Sequence, residues 1–260
     1  MIWDLFQKKK VSSFGGTVDR EALSAAKEAY RTIRTNLMFS VAKPDCKTVI
    51  FTSSIQGEGK TTTAANLAFS IAKSNKKVLL MDLDLRNPRI NRLVKQPVAP
   101  GLTNYLSGFN SLEEILHRNL FPDLDVICAG TVSPNPAEMI ASDGMTKLLQ
   151  QLKEKYDFII LDTPPINLVS DAIPMIRQSD GVVLVVRPGY TARKEVQNAI
   201  SQIRFVEGKI LGVVANGVRE EKRGYGKYGK YGKYGRYGEY RQDESASVES
   251  FGETEEKENG

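Results

Sequence analysis

Between residues 47 and 218 the chain repeats one arrangement: a short unbroken apolar run, then a longer segment with apolar residues every three or four positions. The unbroken runs are KTVIFTSS (47–54), KKVLLMDLD (76–84), LDVICAG (124–130), YDFIILDTPP (156–165), DGVVLVVRP (180–188) and KILGVVANGV (209–218). Each is strand-length and continuous rather than alternating, the pattern of strands buried on both faces of a parallel sheet. The segments between them predict helices at 61–74, 111–118, 136–154, 170–178 and 191–206. A leading helix is predicted over 19–42, with Asp19 as its cap. This alternation predicts an α/β fold, a doubly wound and mainly parallel sheet with crossover connections.

After Val218 the pattern stops. Residues 224–241 read GYGKYGKYGKYGRYGEYR and place Tyr225, Tyr228, Tyr231, Tyr234, Tyr237 and Tyr240 at every third position among glycines and cations. Period three suits neither a strand nor a helical stripe, and glycine at that frequency disfavours both. With no proline in the run it is not collagen-like either. Residues 219–241 carry eight cations and three acids, while 242–260 carry seven acids and one lysine. Both segments lack the apolar residues needed to fold. The expected organisation is a flexible N-terminal segment (1–18), one folded domain (19–218) and a disordered tail (219–260).

Composition narrows the class. A chain of 260 residues that is 41% apolar can bury one sizeable core. Cys46 and Cys128 have neither metal-ligand nor disulfide-framework spacing and read as strand-end or core cysteines of a reduced cytoplasm. His117, the one histidine, is expected on a helix surface, and a single histidine argues against zinc catalysis. No apolar run approaches the roughly 18 residues of a membrane span. The start, MIWDLFQKKK, is too short and too acidic at Asp4 for a signal peptide. Trp3, Leu5 and Phe6 ahead of three lysines fit either a contact with a membrane or membrane partner, or a frayed end.

The chemistry concentrates at strand ends. SSIQGEGKTTT follows the first strand and opens a helix, the context a P-loop requires. Gly57 and Gly59 let the backbone wrap around phosphate oxygens, Lys60 reaches the β- and γ-phosphates, and the Thr61 hydroxyl is placed for Mg²⁺. The usual first glycine of that motif is Ser54 here. Asp82 and Asp84 end the second strand, and Asp162 ends the strand at 156–165. Carboxylates gathered with a P-loop lysine at the carboxyl ends of parallel strands suit a Mg²⁺–nucleotide site.

GEGKTT, LLMDLDLR (an apolar run followed by D-x-D-x-R) and IILDTPP together resemble the bacterial tyrosine kinases, P-loop enzymes unrelated to eukaryotic protein kinases. EAYRTIR resembles that family's E-x-x-R-x-x-R at Glu28, Arg31 and Arg34, and the tyrosine cluster resembles its C-terminal tail. The resemblance spans residues 28–240 and implies a P-loop NTPase fold and ATP-dependent tyrosine phosphorylation with Mg²⁺. It makes Lys60 the phosphate-polarising cation, Thr61 a metal ligand, Asp82 the base, and Asp84 and Asp162 supports for the metal. Gly57, Glu58, Gly59 and Thr62 complete the phosphate cradle. The six tail tyrosines become acceptors phosphorylated by a neighbouring subunit, and 42 tail residues extend roughly 140 Å at full stretch. Gln56 stands where relatives often have proline, which implies a change in loop stiffness.

The same resemblance implies a ring-like homo-oligomer that makes contact through Glu28, Arg31 and Arg34, which lie near one helix face. It also implies a separate transmembrane activator, a phosphotyrosine phosphatase, further protein substrates, and a cytoplasmic location at the inner face of the membrane. The process implied is synthesis or export of capsular or extracellular polysaccharide. Arg86 fits either support of the acidic cluster or a subunit contact; Asn216 fits either an adenine contact or a strand-end turn. Two competing readings are a partition or positioning ATPase of the same deviant P-loop class and a nucleic-acid-binding protein with a basic aromatic tail. The first usually has a signature lysine where this chain has Ile55; no nucleic-acid partner is expected.

Overall fold

Alternate residues of each central strand point into different cores. On β1 (Lys47–Ser53), β2 (Val78–Asp82), β5 (Phe158–Asp162) and β6 (Gly181–Val186), the residues Ile50, Leu79, Met81, Ile159, Leu161 and Leu184 enter one cluster. Their neighbours Val49, Phe51, Val78, Leu80, Ile160 and Val183 enter the other. A strand buried on both faces favours apolar residues on both, so the middle of its sequence is an unbroken apolar run. These elements come from a computed structural model that describes residues 20–218. The expected segment 1–18 and the tail 219–260, with all six candidate acceptor tyrosines, lie outside the described residues.

Among the described residues seven strands form one sheet in the order β3-β4-β2-β5-β1-β6-β7, where β3 is Leu116–Phe121, β4 is Leu124–Ile127 and β7 is Ile210–Ala215. All neighbours are parallel except the β3–β4 pair. One face is covered by α7 (Asp143–Lys153), through Met145, Leu148, Leu149 and Leu152, and by α9 (Arg193–Phe205), through Ala199 and Ile203. The other face is covered by α2 (Lys60–Ala72) and by α1 (Arg20–Ser40), whose Leu37 is buried. No described helix is long and apolar enough to cross a membrane.

The structure corrects the element map at the sheet edge. The helix expected at 111–118 is one turn, α5 (Leu112–Ile115), with Ser111 and Glu114 forming a reciprocal capping box. The chain then enters β3, which places His117 on a strand rather than a helix. Pro122 cannot extend a helix, and Asp123 at φ 63 turns the chain back as a hairpin onto β4. Burial of Ile115 and Leu116 satisfies either reading, so periodicity alone did not separate them. The helix expected at 136–154 is broken into α6 (Pro136–Ile140) and α7, because Ser142 leaves the helix to accept the Met145 amide at 3.2 Å. The segment expected at 170–178 keeps only α8 (Ile173–Ile176). Helices α3 (Ile90–Val94) and α4 (Leu102–Leu106), five residues each, are too short to show a period.

The two cores lie on opposite sides of the sheet, and large-to-small changes in them should act independently. Ile160→Ala and Leu148→Ala are each expected to cost about 2–5 kcal/mol. In urea denaturation the double variant should lose the sum of the two within about 0.5 kcal/mol.

Candidate nucleotide site at the carboxyl end of the sheet

Strand β1 ends at Ser53, and the chain must turn within six residues into α2. It does so through two positive-φ glycines, Gly57 at 87° and Gly59 at 89°. The positive φ favours glycine at Gly59, and a side chain there would also displace the Asn216 amide nitrogen, 1.9 Å from its Cβ position. Gly59 caps α2 without any side-chain bond, leaving the first amides of a 13-residue helix directed into the loop.

The loop is held from outside by residues far along the sequence. Glu58 is buried; one carboxylate oxygen accepts the Ile55 amide at 2.8 Å and the other accepts the Thr191 hydroxyl. Asn216, at the end of β7, donates to the Glu58 carbonyl at 2.8 Å. Tyr190 donates its hydroxyl to the Gln56 carbonyl at 3.1 Å. The Glu58 side chain therefore braces the loop from behind, and any contact it makes with phosphate is through its backbone.

Below the loop, Asp82 and Asp162 are register partners on adjacent strands and both are fully buried. Asp82 accepts the Asp84 amide at 3.1 Å through one oxygen, and the Arg89 and Ile90 amides at 3.1 and 3.0 Å through the other. Burial and the adjacent Asp162 charge push the Asp82 carboxyl up to about 7, against these amides and Lys60. Burial raises Asp162 as well, opposed chiefly by Lys60. The Lys60 ammonium lies 2.9 Å from Asp162 Oδ1, 3.3 Å from the Thr61 hydroxyl and 3.7 Å from Asp84 Oδ2.

The open cleft, about 160 Å³, is lined by the glycine loop, Lys60, Thr61, Thr62, Asp84 and Pro165, with Asn87 and Arg89 closing the rim. Asp84 faces this space. Asp82, expected from the sequence to be the base, lies beneath it with both oxygens engaged by backbone amides. A larger cavity, about 260 Å³, opens at the amino ends of β2, β4 and β5, away from these groups. Sequence reasoning missed Arg89 and Asn87, whose only signal is their position just after D-x-D-x-R. It also missed Thr191 and Tyr190, which have no local signal at all.

Arg86 has a definite partner. Its Nε and Nη2 reach the two oxygens of Asp171 at 2.6 and 3.2 Å, and Asp171 is 2% exposed. The pair ties the loop carrying Asp84 to the loop that follows Asp162. The expected shared face of α1 is divided: Arg31 and Glu28 are exposed and 3.4 Å apart, but Arg34 donates to the Ser70 carbonyl at 2.7 Å. Arg34 therefore anchors α1 to α2 within the chain.

The donors fit a magnesium-bound nucleoside phosphate. Asp162 Oδ2 is buried without a hydrogen-bond partner, the start of α2 is uncapped, and the Thr61 hydroxyl adjoins Lys60. Among the described residues no group of three or more His, Cys, Asp or Glu could hold a metal alone. A cation here would share its coordination with phosphate, the usual arrangement for Mg²⁺.

This fold and site define a P-loop nucleotide-binding protein with an α/β sheet. A family model described as an AAA domain matches residues 46–212. Tyrosine-protein kinase YwqD of Bacillus subtilis is 38% identical over 202 residues, covering 78% of this chain and 85% of YwqD. The solved kinase domain of the Escherichia coli tyrosine kinase ETK superposes with a TM-score of 0.73 at 31% identity, covering 87% of this chain and 91% of that one. The septum site-determining protein MinD of Pyrococcus horikoshii, solved with Mg-ADP, is more distant: TM-score 0.56 at 25% identity, covering 65% of this chain and 70% of that one. The chain belongs to the bacterial tyrosine-protein kinase family.

Two outcomes test the site. Asp82 holds a proton in the folded state between its unfolded value of 3.8 and about 7, so stability falls as pH rises through that window. Without nucleotide, wild-type stability should drop from pH 5 to pH 8 by on the order of 2–3 kcal/mol more than Asp82→Asn, in urea melts at each pH. For Arg86 and Asp171, Arg86→Ala strands the buried carboxylate, Asp171→Ala leaves an exposed guanidinium, and the double variant strands nothing. Discounted for the exposed side of Arg86, a double-mutant cycle should read a coupling of about 1–2 kcal/mol.

Proposed function

We propose that this protein is an ATP- and Mg²⁺-dependent protein-tyrosine kinase that phosphorylates Tyr225, Tyr228, Tyr231, Tyr234, Tyr237 and Tyr240 on a neighbouring copy of itself. The observation that carries the reading is the Lys60 ammonium, poised between an uncapped helix start and the Asp84 and Asp162 carboxylates. Bound ATP supplies the phosphoryl group, and Mg²⁺ offsets the charge on its β- and γ-oxygens.

The chain's own residues then have distinct tasks. Lys60 exchanges its Asp162 contact for phosphate oxygens, and the amides of residues 57–62 hold those oxygens in place. Thr61 and Asp162 would be the oxygen donors for the metal and its water. Asp84, on the cleft wall, is the carboxylate assigned to accept the tyrosyl proton. Asp82 is assigned to positioning, because its oxygens organise the backbone from Asp84 to Ile90. Asn216 borders the loop where a nucleotide base would lie. Phosphoryl transfer asks mainly for positioning and charge neutralisation, and this set supplies both.

The family resemblance supports the wider setting: a transmembrane activator that recruits the kinase to the inner face of the membrane, a ring-like oligomer with Glu28, Arg31 and Arg34 at its contacts, and an opposing phosphotyrosine phosphatase. It equally supports a role in synthesis or export of capsular or extracellular polysaccharide. A positioning ATPase shares the fold, but it has no use for six evenly spaced tyrosines.

Lys60→Met protein should not label itself with Mg²⁺-ATP. Mixed with active protein whose six tail tyrosines are all phenylalanine, the Lys60→Met chain should become labelled on its tail, read by anti-phosphotyrosine blotting. Absence of label in every mixture, with wild type labelling normally, would show that transfer stays within one chain.

A further inference from the structure

Four tyrosines lie in the described domain, and three are engaged inside it. Tyr30 receives a bond from Asn66, Tyr105 packs against the core, and Tyr156 donates to Asp125 at 2.6 Å. Tyr190 differs from all three. It is 53% exposed at the end of the turn Arg187-Pro188-Gly189-Tyr190, every residue of which is exposed. A side chain at Gly189 would meet nothing within 4 Å, so the turn stands clear of the surface.

The Tyr190 hydroxyl nevertheless touches the phosphate-binding loop. It donates to the Gln56 carbonyl at 3.1 Å, and a side chain on Gly57 would meet the Tyr190 hydroxyl oxygen at 3.0 Å. A single exposed hydrogen bond favours the docked hydroxyl by only about two- to tenfold, so it leaves the loop often. One cation is placed on the ring and two more open the helix that follows. The Arg187 guanidinium lies over the ring, 5.2 Å from its centroid, and Arg193 and Lys194 open α9 exposed.

We propose that Tyr190 is a phosphorylation site on the folded domain, modified by a neighbouring copy, and that its phosphate weakens the modified chain's hold on ATP. The inference rests on the kinase reading. In the step, the Tyr190 phenolic oxygen attacks the γ-phosphorus of ATP bound to the neighbour. The oxygen–phosphorus bond forms as the bond to the β,γ-bridging oxygen breaks, ADP leaves, and the phenolic proton passes to the neighbour's carboxylate at Asp84.

The consequence follows from charge and hydrogen bonding. A phosphate ester has no proton to donate to the Gln56 carbonyl, so the strap on the loop is lost. It adds about −1.5 to −2 charge at the edge of the surface that must receive nucleotide phosphates. Arg187 can turn from the ring face to the phosphate oxygens, which holds the modified turn away from the loop. Both effects act on ATP affinity rather than on the carboxylates that run the transfer.

The test uses full-length protein with all six tail tyrosines changed to phenylalanine, so that tail phosphate cannot contribute. After incubation with Mg²⁺-ATP, the Tyr190 peptide should carry phosphate by mass spectrometry. Compared with phosphatase-treated protein, the modified enzyme should show a KM for ATP raised on the order of fivefold, with kcat little changed, when Lys60→Met chain is the acceptor. Adding Tyr190→Phe should make KM insensitive to the pre-incubation. A labelled Lys60→Met tail with no phosphate on Tyr190 overturns this inference and leaves the kinase reading standing. Phosphate on Tyr190 with unchanged KM also overturns it. No label on any tyrosine overturns both.

Discussion

Asp82 and Asp162 sit side by side on adjacent parallel strands, both fully buried, and the ammonium of Lys60 lies 2.9 Å from one of them. Two carboxylates in that position repel each other and neither is solvated, so one of them is driven toward its protonated form. What makes the arrangement tolerable is a set of donors the fold brings to the same place: three backbone amides on Asp82 and the lysine on Asp162. The backbone between Asp84 and Ile90 takes its course from those amides. The position of Lys60 at the start of α2 is set by the same charge. One oxygen of the cluster, Asp162 Oδ2, is left without a hydrogen-bond partner, which suits a site that takes a metal-bound phosphate.

The glycine loop above the cluster depends on contacts from the other end of the chain. Its own residues supply only the capacity to turn, through Gly57 and Gly59. Its shape is held by Thr191 against Glu58, by Asn216 against the Glu58 carbonyl and by Tyr190 against Gln56. Strands β6 and β7, which end in Val186 and Ala215, deliver these residues. A change at that edge of the sheet therefore reaches the phosphate site directly. On the opposite side, Arg86 and Asp171 connect the two acidic loops. The site is thus spanned by two braces, one for the loop that would hold phosphate and one for the carboxylates that would face it.

Much of this was legible in the residues themselves. Apolar runs of strand length, four of them followed by Asp, Ser or Asn, placed the sheet and its chemical edge before any coordinates were considered. GEGKTT determined a phosphate loop, because only two glycines flanking one residue permit that turn and only a lysine beside a helix start serves that anion. The expected division between the domain and the tyrosine-bearing tail rests on composition alone, since a segment poor in apolar residues has little to bury, and the tail lies outside the described residues. What tertiary structure alone decided were the relations between distant residues. Asp82, expected from sequence to be the base, lies buried under backbone amides, whereas Asp84 lines the cleft. Arg34 reads as part of a charged face with Arg31; in the fold it donates a hydrogen bond to the Ser70 carbonyl. The hairpin at 116–127 shares its apolar positions with a helix, and only the free edge of β4 selects the strand. Tyr190, Thr191 and Asp171 carried no signal because their partners lie 85 to 134 residues away. A hydrogen bond over that distance depends on the path of the whole chain, and no local pattern encodes it.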